Sequence, residues 1–248
     1  MHSSCMAFRS SPSCCPPERM QANSRVPTST QNGIHEQLAR LLERHWQAPY
    51  LKPYADYNRA AFAASMARRE ALAPAVPLIL DSGCGVGASS IALARAYPDC
   101  YVIGVDQSQA RLQRAQSRLR RQDTRADALP ANLDLVRADL VDYWRLLRDA
   151  GIHPVRHYLL YPNPWPKIGQ LARRWHGHPV FPALLELGGV LECRSNWKIY
   201  IDEFCFAVER LTRCRAICEP YLPRDALTPF ERKYLNSGHA LYRASVTL

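Results

Sequence analysis

A glycine-rich loop between an apolar run and a helical pattern constrains the fold of this chain more than any other feature. The loop reads Asp-Ser-Gly-Cys-Gly-Val-Gly over Asp81–Gly87, after a strand predicted at Val76–Asp81 and before a helix predicted at Ala88–Tyr97. Glycine is needed here because the backbone must turn sharply and approach a ligand without a Cβ in the way. The first turn of the helix offers unpaired N–H groups and a partial positive charge. The segment therefore predicts a strand–turn–helix unit that binds a carboxylate or phosphate of a ligand beside Gly83, Gly85 and Gly87.

The rest of the chain alternates between short apolar runs and longer amphipathic segments. Further strands are predicted at Tyr101–Asp106, Leu133–Arg137, Val155–Tyr161, Val190–Arg194 and Ala240–Thr247. Further helices are predicted from Ser108 to about Arg121, at Leu140–Asp149 and at Ile199–Thr212. Because strands and helices alternate, we predict an α/β fold with a mostly parallel sheet and helices on both faces.

The length and composition of the chain favour one globular domain. Its 248 residues, 47% of them hydrophobic, are enough to bury one sizeable core. The apolar runs are too short to cross a bilayer, so no membrane contact is expected. Residues 1–32 are rich in Ser, Pro, Thr and Gln and are predicted to be a disordered leader. Residues 33–248 are predicted to form a single domain, in which residues 33–75 are a helical extension with helices at Gly33–Arg44 and Tyr57–Ala71.

Cysteine spacing and net charge indicate the compartment and the class of partner. Nine cysteines occur without a CxxC pair, so neither a disulfide framework nor a zinc site is expected, and we predict a cytoplasmic protein without a metal. The formal net charge of +10 attracts polyanions, which makes a nucleic acid a plausible partner. The sequence does not determine the oligomeric state, and a monomer is the expectation.

Three acidic residues at successive strand ends bear on the identity of the cofactor. The glycine loop also fits the GxGxxA fingerprint of dinucleotide enzymes, through Gly83, Gly85 and Ala88. Asp81, however, lies two residues before the first glycine, where methyltransferases place an acid facing the cofactor. Asp106 ends the second strand and suits ribose hydroxyls in either class, whereas Asp139 follows the third strand, where methyltransferases have an acid near the adenine. The pattern favours S-adenosylmethionine over NAD.

A proline-rich segment after the fourth strand gives the chain a family resemblance. Tyr161–Lys167 reads Tyr-Pro-Asn-Pro-Trp-Pro-Lys, and it is followed by Gly188-Gly189, by Arg194-Ser195-Asn196-Trp197 and by Thr228-Pro229-Phe230-Glu231-Arg232. In this order the elements resemble the Phe-Pro-Asp-Pro-Trp, Gly-Gly, Thr-Asp-Trp and Thr-x-Phe-Glu motifs of the bacterial tRNA (guanine-N7)-methyltransferase family. The resemblance extends from Asp81 to Arg232.

This resemblance implies a fold, a reaction and a set of site residues. The fold would be the Rossmann-like, class I S-adenosylmethionine-dependent methyltransferase fold with a mostly parallel seven-stranded sheet, and the substrate a guanine of tRNA, methylated at N7. The implied cofactor-binding residues are Asp81, Gly83, Gly85, Gly87, Asp106 and Asp139. The implied substrate-binding residues are Asn163, Lys167, Asn196, Thr228 and Glu231, with Asn163 in the catalytic position.

The chain departs from the family pattern at two positions that face the substrate. Asn163 and Asn196 stand where the family has aspartates. A carboxylate only accepts hydrogen bonds and can receive two from the N1–H and N2–H edge of guanine, whereas an amide offers one acceptor and two donors. We therefore expect Glu231 to be the main acceptor for the guanine edge. His176 and His178, which follow the proline-rich segment in the chain, could contact RNA phosphates.

These departures leave other functions open. One is a methyltransferase of the same descent that acts on another base or on a small molecule. A second is a catalytically weak RNA-binding paralogue. A third, ranked below guanine, is methylation of an exocyclic amine, because Asn163-Pro164-Trp165 partly resembles the Asn-Pro-Pro-aromatic loops of such enzymes.

Overall fold

A seven-stranded sheet organises the computed structural model, which describes residues 24–72, 75–121 and 129–248. The strand order is β3-β2-β1-β4-β5-β7-β6, and β1 to β5 run parallel while β7 is antiparallel to both of its neighbours. The strands are β1 Leu78–Ser82, β2 Tyr101–Asp106, β3 Leu133–Arg137, β4 Arg156–Leu160, β5 Val190–Ser195, β6 Ile217–Pro220 and β7 Tyr242–Thr247. The predicted seven-stranded, mostly parallel sheet is thereby confirmed.

Helices cover both faces of the sheet. They are α1 Leu38–Gln47, α2 Asp56–Leu72, α3 Ala88–Ala96, α4 Gln109–Arg121, α5 Leu140–Asp149, α6 Phe181–Leu185, α7 Lys198–Thr212 and α8 Pro229–Asn236, with two short 3-10 turns at Ile168–Arg173 and Trp175–Gly177. Neighbouring residues of β1 face opposite sides: Leu80 packs in a core with Tyr143 of α5 and Phe204 of α7, and Ile79 packs in another with Leu93 of α3. None of the described helices is both long and apolar enough to cross a membrane.

Residues 24–33, which we call the N-terminal strap, lie along the domain. The hydroxyl of Ser29 donates to the carbonyl of Pro166 at 2.6 Å, and the carbonyl of Ser24 is 2.9 Å from the ring nitrogen Nε2 of His239. The side-chain amide of Gln31 donates to Glu203 at 2.6 Å. The structure thus differs from the predicted disordered leader over residues 24–32, and residues 1–23 lie outside the described part of the chain.

A buried carboxylate joins the strap to α7 and to the segment that follows the proline-rich loop. Glu203 of α7 is fully buried, and its Oε1 accepts hydrogen bonds from Gln31 and from the backbone N–H of His35. Its Oε2 accepts from the guanidinium of Arg174 at 2.6 Å and from His176 at 2.8 Å. Burial alone would raise the pKa of Glu203, yet the hydrogen bonds from His176 and Arg174 lower it to about 2. Burial lowers the pKa of His176. Because the Glu203 carboxylate can only accept, Nε2 of this imidazole is the donor.

Replacement of this carboxylate tests its contribution to stability. We expect Glu203→Gln to lower the free energy of unfolding by about 3–5 kcal/mol, because the buried Arg174 charge loses its counterion. Urea unfolding near neutral pH measures the difference. Because the folded-state pKa of about 2 lies below the ordinary 4.5, the contribution is complete above pH 4.5 and declines as pH falls toward 2.

The matched control is Glu43→Gln. Glu43 pairs with Arg210 on the surface, and both side chains are half exposed, so its loss should cost less than ~1 kcal/mol. Equal destabilisation by the two substitutions would contradict the role assigned to Glu203.

Candidate active site

The sequence-predicted site residues lie after neighbouring parallel strands. The glycine loop follows β1, Asp106 ends β2, Asn163 follows β4 and Asn196 follows β5. Because β2, β1, β4 and β5 are adjacent and parallel, their carboxyl ends form one edge of the sheet, where α/β proteins bind ligands. The fold therefore brings the predicted cofactor and substrate positions to the same crevice.

The glycine loop leaves open space where a ligand can lie. Gly83, Gly85 and Gly87 have φ values of 77°, 58° and 71°, in the left-handed region that favours glycine. A Cβ at Gly87 would meet Leu135 at 3.1 Å, whereas a Cβ at Gly85 would meet no atom within 4 Å. Gly87 is thus required by packing, and Gly85 borders open space beside the loop, which we call the cradle.

Asp106 is held beside this cradle by backbone donors. Its Oδ2 accepts from the N–H of Gly85 at 3.0 Å and its Oδ1 from the N–H of Ser108 at 2.7 Å. Arg111 of α4 approaches Oδ2 to 3.6 Å. A carboxylate has about four acceptor positions, so the two backbone bonds leave room for ligand hydroxyls. This arrangement fits the predicted ribose-binding role.

Asp81 has its contacts inside the protein. The carboxylate is 1% exposed, and its Oδ2 accepts from the hydroxyls of Ser89 and Ser90, both at 2.6 Å. Burial raises the pKa of this carboxyl group. These hydrogen bonds connect the first turn of α3 to β1. Asp81 therefore stabilises the glycine loop that lies between them.

Asp139 caps a helix at the same edge of the sheet. Its Oδ1 accepts from the N–H of Val141 at 2.9 Å and so caps α5. Its own backbone N–H donates to Asn58 of α2. The half-buried carboxylate remains a candidate ligand for the adenine end of a cofactor.

A buried polar group behind the glycine loop was not singled out by sequence. The hydroxyl of Ser82 lies 2.7 Å from Nε2 of His157 and accepts from the indole N–H of Trp144 at 2.8 Å. Burial lowers the pKa of His157 to about 3, so the imidazole that is hydrogen-bonded to Ser82 is neutral. These bonds tie β1 to β4 and α5 just before the loop. Only tertiary contact shows their role, because the three residues are far apart in sequence.

The proline-rich segment is held in an unusual backbone conformation. Tyr161 and Trp165 have φ values of 52° and 46°, which non-glycine residues adopt rarely. The N–H of Trp165 donates to Oδ1 of Asn163 at 3.4 Å, and the carbonyl of Trp165 accepts from Arg174 at 3.1 Å. Arg173 stacks over the Trp165 ring at 4.8 Å. Contacts on both sides thus fix the loop that carries Asn163.

The exposed part of this loop carries the side chains predicted to face the substrate. Asn163 and Lys167 are both exposed, as is Arg173. Arg174 and His176, by contrast, are fully buried against Glu203. The suggestion that His176 contacts RNA phosphate is therefore wrong, because the ring has no exposed surface.

Glu231 lies beneath the loop. It is fully buried, and its Oε1 accepts from the hydroxyl of Tyr161 at 2.7 Å and from Arg194 at 2.9 Å. Its Oε2 accepts from the N–H of Leu227 at 2.6 Å. Thr228 caps α8 by accepting from the N–H of Glu231. The predicted role of Glu231 as an acceptor of hydrogen bonds from the guanine edge does not fit this arrangement, because protein donors surround the buried carboxylate.

Asn196 completes the edge of the crevice. The residue is 6% exposed, and its Nδ2 lies 3.0 Å from Nδ1 of His239.

Within residues 24–72, 75–121 and 129–248, no three His, Cys, Asp or Glu side chains are placed to hold a metal ion. The described site is built from backbone donors, carboxylates and amides.

Comparison of the sequence with known proteins shows that the chain matches a family of methyltransferases. Residues 75–244 match the model of a family described as "Putative methyltransferase". The chain is 27% identical over 229 residues to the tRNA (guanine-N(7)-)-methyltransferase of Treponema pallidum (strain Nichols), covering 81% of this chain and 85% of that protein. It is 28% identical over 211 residues to the tRNA (guanine-N(7)-)-methyltransferase of Bordetella pertussis (strain Tohama I), covering 79% and 73%. The resemblance noted in the sequence is confirmed.

Solved structures show the same fold. The 16S rRNA methyltransferase KamB has a TM-score of 0.53 at 16% identity, covering 79% of this chain and 95% of that chain. An antibiotic-related methyltransferase has a TM-score of 0.51 at 13% identity, covering 69% and 88%. The predicted Rossmann-like, class I methyltransferase fold is confirmed.

The two glycines that differ in their surroundings give a test of the loop geometry. We expect Gly85→Ala to lower the free energy of unfolding by about 1–2 kcal/mol, the cost of a left-handed non-glycine residue. Gly87→Ala should cost a further 1–3 kcal/mol or so, because its Cβ also meets Leu135 and Ala115. Urea unfolding of both variants measures the difference, and equal losses would contradict the packing role of Gly87.

Proposed function

The chain belongs to the family described as "Putative methyltransferase", and from this premise we propose that it transfers a methyl group from S-adenosylmethionine to N7 of a guanine in tRNA. One observation carries the proposal: the fold brings the glycine cradle after β1 and the proline loop after β4 together on adjacent strands. The first suits a cofactor and the second a base. The names and the 81% coverage of the tRNA-modifying relatives support the choice of substrate.

The residues of the cradle fit S-adenosylmethionine. The open space beside Gly85 can admit the amino-acid part of the cofactor. The first turn of α3 offers backbone N–H donors to the carboxylate of that part. Asp106 would accept from the ribose hydroxyls of the cofactor, and Asp139 would hold its adenine end. The cofactor supplies a methyl group on a positively charged sulfonium. Guanine N7 carries a lone pair and no proton, so the chain needs no general base.

The work of this chain is then to position the base. Oδ1 of Asn163 is turned toward the N–H of Trp165, which leaves its amide N–H groups to donate to O6 of the guanine, next to N7. Positioning of two reactants can supply roughly 7–11 kcal/mol in favourable cases. Asn163 is in this proposal the catalytic residue, because it touches the base beside the reacting atom.

Glu231 acts through the loop and not on the base. Its bond to Tyr161 fixes the residue at which the proline loop begins, and Arg194 neutralises the buried charge. Thr228 holds Glu231 in place through the cap of α8. We assign both to positioning of the loop, in place of the direct acceptor role expected from sequence.

Exposed cations beside the loop suit the phosphates of tRNA. Lys167 follows Trp165 in the chain and is exposed, Arg173 stacks over the Trp165 ring, and the whole chain carries a formal net charge of +10. Cations of this kind release counterions from the phosphate backbone, so binding weakens as salt rises. The six cysteines within the described residues are free thiols, which agrees with the cytoplasm, where tRNA is modified.

The proposal is tested by transfer of a labelled methyl group from S-adenosylmethionine to unmodified tRNA. We expect 7-methylguanosine as the product, identified after digestion to nucleosides. A different methylated nucleoside would keep the enzyme class and overturn the assignment of the base. Cofactor and tRNA binding without transfer would favour an RNA-binding paralogue.

Two variants separate the cofactor half of the site from the substrate half. We expect Gly85→Ala to abolish binding of S-adenosylmethionine, measured by calorimetry, because its Cβ enters the cradle. Asn163→Ala should bind the cofactor normally and lose about 3- to 10-fold in kcat/KM for tRNA, the effect of one hydrogen bond.

Gln47→Ala is the matched control, since Gln47 is an exposed amide at the end of α1 and is none of the residues assigned to the site. Loss of cofactor binding in Asn163→Ala would contradict the division of roles.

A further inference from the structure

The orientation of the Asn196 amide is set by one neighbour. The distance between Nδ2 and Nδ1 of His239 is 3.0 Å, and because Nδ2 is a donor only, Nδ1 must accept. Within the described part of the chain, no donor lies against Oδ1 of Asn196. The amide therefore turns its N–H toward His239 and keeps its carbonyl oxygen for another donor.

The tautomer of His239 is set in turn by the N-terminal strap. Nε2 of the imidazole lies 2.9 Å from the carbonyl of Ser24, which can only accept, so Nε2 carries the ring proton. This tautomer leaves Nδ1 free to accept from Asn196. The ring also stacks on Tyr234 of α8, with centroids 5.3 Å apart and planes at 13°. His239 is thus held in its plane and in its tautomer.

Asn196 lies beside the proline loop. The N–H of Tyr161 donates to the carbonyl of Arg194 at 2.8 Å, which joins the start of the loop to the end of β5. The two asparagines therefore flank one crevice with opposite polarity: Asn163 offers N–H donors and Asn196 a carbonyl acceptor.

We infer that His239 is a positioning residue that sets base specificity by holding the carbonyl oxygen of Asn196 toward the substrate guanine. The inference rests on the proposed function. A carboxylate accepts through both oxygens in either orientation, whereas an amide presents its acceptor to the base in only one of its two orientations. His239 and the Ser24 carbonyl select that orientation.

The polarity of the two amides suits guanine and opposes adenine. In guanine, O6 next to N7 accepts a hydrogen bond, and N1–H and N2–H farther along the edge donate. In adenine, the group next to N7 is an amine that donates, and N1 accepts. Donor Asn163 beside N7 and acceptor Asn196 farther along the edge thus match guanine in both positions.

The tautomer of His239 is measured first, by long-range proton–nitrogen NMR of the full chain at neutral pH. The signal is assigned by its loss in His239→Phe, which keeps a ring to stack on Tyr234. We expect the proton on Nε2 and a lone pair on Nδ1. A proton on Nδ1 would overturn the inference, since that ring could not accept from Asn196.

The kinetic effect is measured by tRNA methylation with His239→Phe. We expect KM for tRNA to rise about 3- to 10-fold with kcat and cofactor affinity unchanged, because a ground-state contact to the base is lost. In an Asn196→Asp background the same change should raise KM less than about twofold, since a carboxylate needs no orientation. The matched control is His153→Phe. His153 precedes β4, at the amino ends of the parallel strands, and its ring is hydrogen-bonded to the carbonyl of Leu187.

The outcomes separate this inference from the proposed function. Absence of 7-methylguanosine with the unchanged protein overturns the proposed function, and the role in specificity with it. With methylation present, an equal rise of KM in both backgrounds overturns the inference alone, because it would mark His239 as merely structural. Thermal unfolding of each variant verifies that the compared proteins are folded.

Discussion

The buried carboxylate of Glu203 is the interaction on which the substrate side of this protein depends. It accepts hydrogen bonds from the strap, from the start of the N-terminal helical region and from the segment after the proline loop. A buried charge is stable only when partners replace its hydration, so these elements must assemble together. Arg174 extends the effect, because its Nε also bonds the carbonyl of Trp165. Removal of the carboxylate would therefore disturb both the strap and the proline loop.

The two halves of the crevice are stabilised by different means. The cofactor half uses backbone geometry: left-handed glycines, helix N–H groups and a carboxylate held by two backbone donors. The substrate half uses side chains whose orientation depends on partners far away in sequence, such as Tyr161 with Glu231 and Asn196 with His239. This difference explains why the sequence located the second half through its motifs but did not give the hydrogen-bond partners of its side chains.

Several elements follow from local patterns, and a few do not. The bounds predicted for β2, β3 and α5 agree with the structure, because each is a buried run or an amphipathic helix of ordinary length. Strand β6 was missed because three of its four residues are exposed and it pairs only at the edge of the sheet. The short helix α8 was read as a motif, since eight residues show too little periodicity to predict a helix.

By itself the sequence determined the α/β fold class with a mostly parallel sheet, the glycine loop, the acidic residues at the strand ends and the family. These features depend on the local spacing of residues. Only the tertiary structure decided which of the predicted site residues face the crevice. It buried Glu231 and His176 and left Asn163 exposed. It also turned the Asn196 amide by contact with His239. The physical reason is that hydrogen-bond polarity and burial depend on neighbours that are distant in sequence, such as His176 and Glu203, 27 residues apart, and Asn196 and His239, 43 residues apart.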